Sequence, residues 1–359
     1  MRRSRLNRQI RKWLAARFGL ARPVVPRPGR DTTIHVIVLD GTMSSLAPGD
    51  ETNAGLAMKL LKEMGREVSV YYEPGLQWSH WRHCGDVLFG RGINRQIRRA
   101  YGYLASRWRP GDQIFLFGYS RGAYAARSLA GMIDMVGLLR PRYATERNIR
   151  QLYRHYECTP GSEAARAFSA KHCHEQVVIE MIGAWDTVKS LGINAPVFWR
   201  LSEARHAFHN HHLGPSVKRG YHALARNETR VAYAPVMWES DPNWDGELIQ
   251  MWFRGSHGDV GGNLGGFHAA RPLSNIPFVW MMERAQAVGL PLPERWEARY
   301  RRDATAPSVG TWRGYAGIFP TRLARPVGLD PSERVHPSVS ARGPVSSWPF
   351  SWWSAKPET

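Results

Sequence analysis

Cysteine is scarce in this 359-residue chain, which holds only the widely spaced Cys84, Cys158 and Cys173. An odd, scattered set argues against a disulfide framework and against a thiolate zinc site, and it fits a reducing compartment. Long apolar runs are missing too: none approaches the ~20 residues needed to span a bilayer. Nor does the N-terminus carry the continuous apolar stretch of a cleavable secretory signal, so a cytoplasmic protein, peripheral to a membrane at most, is the expectation. Acidic residues are absent from residues 1–30, where nine Arg and one Lys supply ten of the nineteen net positive charges. No internal repeat is present.

What is present at the N-terminus is patterned. In "MRRSRLNRQIRKWLAARFGLARPVVPRP", Leu6, Ile10, Trp13, Leu14 and Phe18 fall on one helical face, with Arg8, Arg11, Lys12 and Arg22 elsewhere. This is the arrangement of an interfacial helix on anionic lipid, so residues 1–22 are read as a peripheral membrane contact. An extra helix packed on its own domain, or a disordered arm, is the alternative. Basic charge also suits nucleic acid, but no recognised binding motif accompanies it and no nucleic-acid partner is expected. Three prolines between Pro23 and Gly29 separate this arm (1–30) from a globular body over 31–342, and 343–359 reads as an aromatic tail without a clear period.

The body alternates strand and helix. "TTIHVIVLDG" is a buried strand meeting a loop, "EVSVYYEPG" (67–75) a second strand, and "INRQIRRAYGYLASRW" (93–108) an amphipathic helix. "PGDQIFLFGYS" then gives turn and strand, and "RGAYAARSLAGMI" gives helix. Alternation of this kind predicts an α/β fold with a mostly parallel sheet covered by helices on both faces. Residues 140–175 read as two polar helices, with Ile149, Leu152, Tyr153 and Tyr156 facing inward. Residues 190–228 read as a helical insertion, and the two segments together are expected to form a cap. Further strands are expected in "QVVIEMIGAWDTV" (176–188), "RVAYAPVMW" (230–238) and "ELIQMWFRG" (247–255), with a helix from about Pro272.

One stretch carries chemistry. "FGYSRGAYAARSLAGMI" (117–133) sets Ser120 between Gly118 and Gly122 at G-x-S-x-G spacing, after a strand and before a helix. That context is the nucleophile elbow, whose tight turn needs small residues two positions either side of the serine. A serine hydroxyl needs a base and an oxyanion site. On this fold the acid and then the histidine follow in the chain. Asp186, at the end of a predicted strand, is the candidate acid, and His257, in a glycine-rich loop past another strand, the candidate base. Oxyanion donors are expected from the N–H of Arg121 and from the loop at Gly41 and Thr42.

Other assignments stay open at this level. Asp186 could cap the next helix, His336 could replace His257, Asp259 could replace Asp186, and Asp40 could line the site or hold a cation. The cluster "HAFHNHH", with His206, His209, His211 and His212, has no carboxylate or thiol at ligand spacing. It is read as structural, and no metal or cofactor is expected.

The blocks "VLDGT" (38–42), "YGYLASRWRPGDQIFLFGYSRGAYAARSLAGMI" (101–133), "GAWDTVKSLG" (183–192), "YHALARNETR" (221–230) and "WFRGSHGDVGGN" (252–263) occur in order. Together they resemble the bacterial α/β-hydrolase domain family typified by type VI secretion phospholipase effectors, across most of residues 33–290. Departures are Met43, where Gly is usual after "DGT", and the His loop, which reads "HGDVGGN". The resemblance implies an α/β-hydrolase fold and a metal-independent acyl-ester hydrolase using Ser120, Asp186 and His257, with a phospholipid or another lipid ester as substrate. A soluble carboxylesterase or thioesterase, and an inactive hydrolase-fold interaction module, are the alternative functions. If the basic arm docks on lipid, deleting residues 1–28 weakens co-sedimentation with anionic vesicles and leaves neutral vesicles unaffected; unchanged binding to anionic vesicles contradicts the assignment.

Overall fold

In the computed structural model, residues 32–75, 91–188, 211–313 and 321–342 are described. The basic arm, the aromatic tail, Cys84, His206 and His209 lie outside them. Among the described residues, Cys158 is an exposed free thiol and Cys173 a buried one. Seven strands form one sheet: β1 (Ile34–Leu39), β2 (Val68–Glu73), β3 (Gln113–Tyr119), β4 (Met181–Trp185), β5 (Arg219–Ala225), β6 (Glu247–Phe253) and β7 (Glu333–Val335). Their order is β2-β1-β3-β4-β5-β6-β7, and every neighbouring pair is parallel.

Residues of the central strands alternate between two apolar layers. Ile37, Leu39, Ile114 and Leu116 face one layer, and Val36, Val38, Phe115 and Phe117 face the other. Period-two burial on both faces requires helices on both, because a strand with two apolar faces has no side for water. The first layer is closed by α2 (Arg91–Arg107) and α3 (Arg121–Val136), the second by α1 (Asn53–Lys62) and α7 (Arg271–Ala287). Helix α1 is started by Thr52, whose hydroxyl accepts from the Gly55 N–H at 2.9 Å.

Three expectations change. Residues 140–175 do form two helices, α4 (Glu146–Cys158) and α5 (Glu163–His172). Their apolar residues Leu152, Tyr153, Tyr156 and Phe168 are buried in the layer of α2 and α3, so this insertion flanks the sheet instead of capping it. Within 190–228, residues 219–225 are not helical insertion but the strand β5, held between β4 and β6. Its sequence RGYHALA lacks β-branched residues, and position in the sheet overrides its weak propensity. Residues 230–238 make no sheet strand: Val231–Tyr233 is a single 3₁₀ turn. Pro235 follows, with no N–H to offer a ladder.

Chain direction across the sheet reverses at β1, since β2 lies on one side of it and β3 on the other. Beyond the carboxyl ends of strands at such a point a crevice opens, and ligands bind there in open α/β sheets. Helix α3 lies so near β1 at that point that a Cβ on Gly122 would stand 2.1 Å from the Leu39 carbonyl oxygen. A Cβ on Gly118 would stand 2.5 Å from Ala123 Cα. Gly122→Ala is therefore expected to lower stability by about 1–3 kcal/mol, the cost of overpacking a rigid contact; a denaturation midpoint equal to that of the parent contradicts so close an approach.

Candidate active site

Ser120 stands between the last residue of β3 and the first of α3 with φ 57° and ψ −121°, in the strained region that an elbow requires. Its N–H donates to the Trp185 carbonyl at 2.9 Å, which ties the elbow to β4. The hydroxyl makes no helix cap, so its oxygen is left for another partner. Because Tyr119 lies beside Trp185 in the parallel register, the next residues of the two strands, Ser120 and Asp186, emerge at the same sheet edge. His257 enters from the loop after β6 as the first residue of the short helix α6 (His257–Gly261).

These three side chains meet. His257 Nδ1 is 2.6 Å from Asp186 Oδ2, and His257 Nε2 is 3.0 Å from Ser120 Oγ. A carboxylate only accepts, so the ring proton belongs on Nδ1, and Nε2 is left with a lone pair toward the serine hydroxyl. Two aromatic rings hold the imidazole: Tyr119 at 4.9 Å between centroids and Tyr233 at 4.8 Å. The Tyr119 hydroxyl also donates to the His257 carbonyl at 3.2 Å.

Asp186 is fully buried, and it is fed by four donors. Oδ1 accepts from the Ala225 N–H at 2.9 Å and from Arg325 Nη1 at 2.6 Å, while Oδ2 accepts from Arg325 Nη2 at 3.0 Å and from His257. Burial alone pushes its pKa up, but the Arg325 guanidinium and His257 outweigh burial and hold the carboxyl well below the usual range. Arg325 is anchored in turn by the carbonyls of Ala225 at 2.9 Å and Tyr233 at 2.5 Å.

Sequence reasoning passed over Arg325, His222 and Glu228. His222 on β5 accepts the Thr187 N–H at 3.0 Å, fixing the turn behind Asp186. Burial, helped by the charge on Arg127, lowers its pKa to about 3, which keeps it neutral. Glu228 accepts the His257 N–H at 3.1 Å and pairs with Arg230, whose guanidinium lies 3.8 Å over the Tyr233 ring.

The alternatives fall elsewhere. Asp259 accepts from the Ser256 N–H and hydroxyl, the Ser308 hydroxyl and the Val309 N–H, at 2.5–2.9 Å, and so serves as the capping-box acid of α6. His336 Nδ1 accepts from the Ser338 N–H at 3.1 Å while its ring packs on Phe253, away from Ser120. Asp40 accepts from Thr52, Tyr72 and the Gly41 N–H at 2.6–2.8 Å, and burial raises its pKa to about 6. His211 and His212 both stand 3.5 Å from the Glu239 carboxylate. No group of three metal-ligating side chains occurs among the described residues.

The expected oxyanion loop is adjacent but altered. A Cβ on Gly41 would lie 3.2 Å from Ser120 Cβ, so the loop does reach the serine. Yet the Gly41 N–H is spent on Asp40 Oδ1 at 2.7 Å, which removes it from the expected donor set. Thr42 remains, half-buried in the same loop. Arg121 opens α3, where a first-turn N–H has no intrahelical acceptor.

The Arg325–Asp186 pair makes a testable demand. Breaking a buried ion pair from one side costs about 3–5 kcal/mol. In the parent the pair's contribution persists until pH falls toward the low folded-state pKa, whereas without Arg325 burial raises the Asp186 pKa and protonation near pH 4 relieves the unpaired charge. Arg325→Met is thus expected to lower stability by about that amount at pH 7, with a smaller deficit at pH 4 in urea unfolding. A deficit that does not depend on pH contradicts a charge-pairing role.

A family model described as "T6SS, Phospholipase effector Tle1-like, catalytic domain" matches residues 34–284. The uncharacterized protein YEL023C of Saccharomyces cerevisiae is 30% identical over 188 residues, covering 44% of this chain and 27% of that protein. Among solved structures, the Tle1 effector bound to the VgrG spike of the type 6 secretion system matches with TM-score 0.34 at 19% identity, over 66% of this chain and 52% of that one. An uncharacterized protein from Pseudomonas aeruginosa matches with TM-score 0.43 at 16% identity, over 88% and 53%. The chain thus spans about half of these solved chains and little more than a quarter of the yeast protein. With seven parallel strands flanked by helices and a family match over most of its sheet, the chain belongs to the family of Tle1-like type VI secretion phospholipase effector catalytic domains.

Proposed function

We propose that this chain is a serine hydrolase that cleaves acyl esters of lipids, with phospholipid as the favoured substrate class. The observation that supports it most is the continuous line from Ser120 Oγ through the His257 imidazole to the Asp186 carboxylate, at 3.0 and 2.6 Å. Membership of a phospholipase effector catalytic family points to lipid esters in place of soluble ones.

In this reading the Ser120 oxygen attacks the ester carbonyl as His257 Nε2 takes its proton. Asp186 holds the imidazole in the needed tautomer and stabilises the imidazolium. The N–H groups of Arg121 and Thr42 receive the oxyanion, a contribution on the order of 10²–10³ in rate for each donor. His257 then gives its proton to the departing alcohol oxygen, leaving an acyl group on Ser120. Water, deprotonated by the same nitrogen, attacks that acyl carbonyl; the carboxylic acid leaves and the proton returns to Ser120. No metal ion enters any of these steps. No helix among the described residues is long and apolar enough to cross a membrane.

A fluorophosphonate probe is expected to label the protein, with labelling abolished in Ser120→Ala and reduced at least about 10³-fold in rate in His257→Ala. Phospholipid vesicles are expected to be hydrolysed faster than short water-soluble esters. Absence of labelling in folded protein supports an inactive interaction module instead, and a preference for the soluble ester supports a carboxylesterase or thioesterase.

A further inference from the structure

A cavity of about 390 Å³ lies beside the elbow, on the β2 side of the switch point. Asp40 and Thr42 line it from the loop after β1, Glu73 from the end of β2, Arg95 and Arg99 from α2, and Arg121 from the start of α3. Thr42 and Arg121 are also the residues whose N–H groups serve the oxyanion in the proposed reaction. The cavity therefore borders the position of the ester carbonyl.

Arg121 is the unusual member. Five arginines are buried among the described residues: Arg121, Arg127, Arg230, Arg254 and Arg325. Four have acceptors. Arg127 donates to the carbonyls of Val236 and Met237, and Arg254 to those of Ala304 and Ala306. Arg230 pairs with Glu228, and Arg325 with Asp186. Single nitrogens of Arg127, Arg254 and Arg325 are also buried without a partner, but the rest of each of those groups is matched. Arg121 is only 6% exposed, its Nη1 is buried without any hydrogen-bond partner, and its guanidinium donates to no acceptor among the described residues. A buried guanidinium without an acceptor is costly to the folded chain, and burial depresses its pKa accordingly.

The two carboxylates of the cavity do not supply that acceptor. Asp40 is taken up by Thr52, Tyr72 and the Gly41 N–H, and Glu73 by Arg99 and the Tyr71 hydroxyl. Three guanidinium groups against two carboxylates leave the lining with an excess of positive charge. Arginine presents a planar fork of donors that matches the oxygens of a phosphate.

We propose that this cavity is a phosphate subsite, in which Arg121, with Arg95 at the exposed rim, receives the anionic phosphate of the acyl-ester substrate while the ester carbonyl lies at Ser120. The inference rests on the hydrolase reading above and deepens it, since it assigns substrate class to a single side chain. One residue then serves both ends of the substrate, its backbone N–H facing the oxyanion and its side chain the phosphate.

The test compares kcat/KM for two monomeric esters of equal acyl length, one an acyl glycerophosphate and one an uncharged acylglycerol, in the full-length parent, Arg121→Met and Arg121→Lys. The ratio of phosphate-bearing to uncharged ester is expected to fall about 10- to 100-fold in Arg121→Met, mainly through KM, the size of one charge-assisted contact. Arg121→Lys is expected to recover part of it. Fluorophosphonate labelling is followed in parallel: failure of the parent to label sinks the hydrolase reading, whereas normal labelling with an unchanged ratio in the variant overturns the subsite alone. Inorganic phosphate provides a further arm. Competitive inhibition of uncharged-ester hydrolysis that weakens in the variant together with the ratio supports a substrate subsite. The same inhibition with an unchanged ratio means a free-phosphate site and overturns the proposal. Should Arg121→Met not fold, sn-glycerol 3-phosphate must inhibit the parent beyond chloride at equal ionic strength, and absence of that inhibition overturns the proposal.

Discussion

The buried carboxylate of Asp186 is the constraint around which the carboxyl edge of this sheet is organised. A fully buried charge is tolerable only when every lone pair has a donor, and four donors from three segments converge on it: the Ala225 N–H, His257 and both terminal nitrogens of Arg325. Meeting that demand fixes the ends of β4 and β5, the loop after β6 and the segment around residue 325 relative to one another. His257 is thereby turned toward Ser120 before any substrate arrives. Preorganisation of this kind lets an active site avoid reorganising during the reaction.

Surrounding polar groups are spent on position. Glu228 holds the His257 backbone, Asp259 caps the helix that His257 begins, and His222 fixes the turn behind Asp186. The rings of Tyr119 and Tyr233 both pack on the imidazole. Each of these groups uses its hydrogen-bonding capacity on a neighbour. Arg121 stands out against that background, because the other buried arginines each donate to acceptors and its guanidinium meets none among the described residues.

Much of this was legible in the amino-acid sequence, and the reasons are specific. Strands rich in Val, Ile and Phe declare themselves, and the spacing of Gly118, Ser120 and Gly122 marks an elbow because close backbone approach tolerates no other residue there. Asp186 and His257 were legible as residues placed just past strands. Strand β5 was not, since RGYHALA owes its conformation to two neighbouring strands and not to its own side chains. Arg325 was invisible for a different reason: it meets Asp186 across 139 residues, in a stretch with no periodicity or motif. The engagement of the Gly41 N–H by Asp40 was not legible either, because whether a backbone donor is free depends on where a neighbouring side chain turns, which no pattern records.

The proposed hydrolysis requires that substrate covalently acylate Ser120. Rapid-quench mass spectrometry during turnover of an activated ester reads this directly. A transient mass increase equal to the acyl group, located on the peptide that contains Ser120, is the expected result. Turnover without an acyl adduct at any quench time, or with the adduct on another residue, contradicts it.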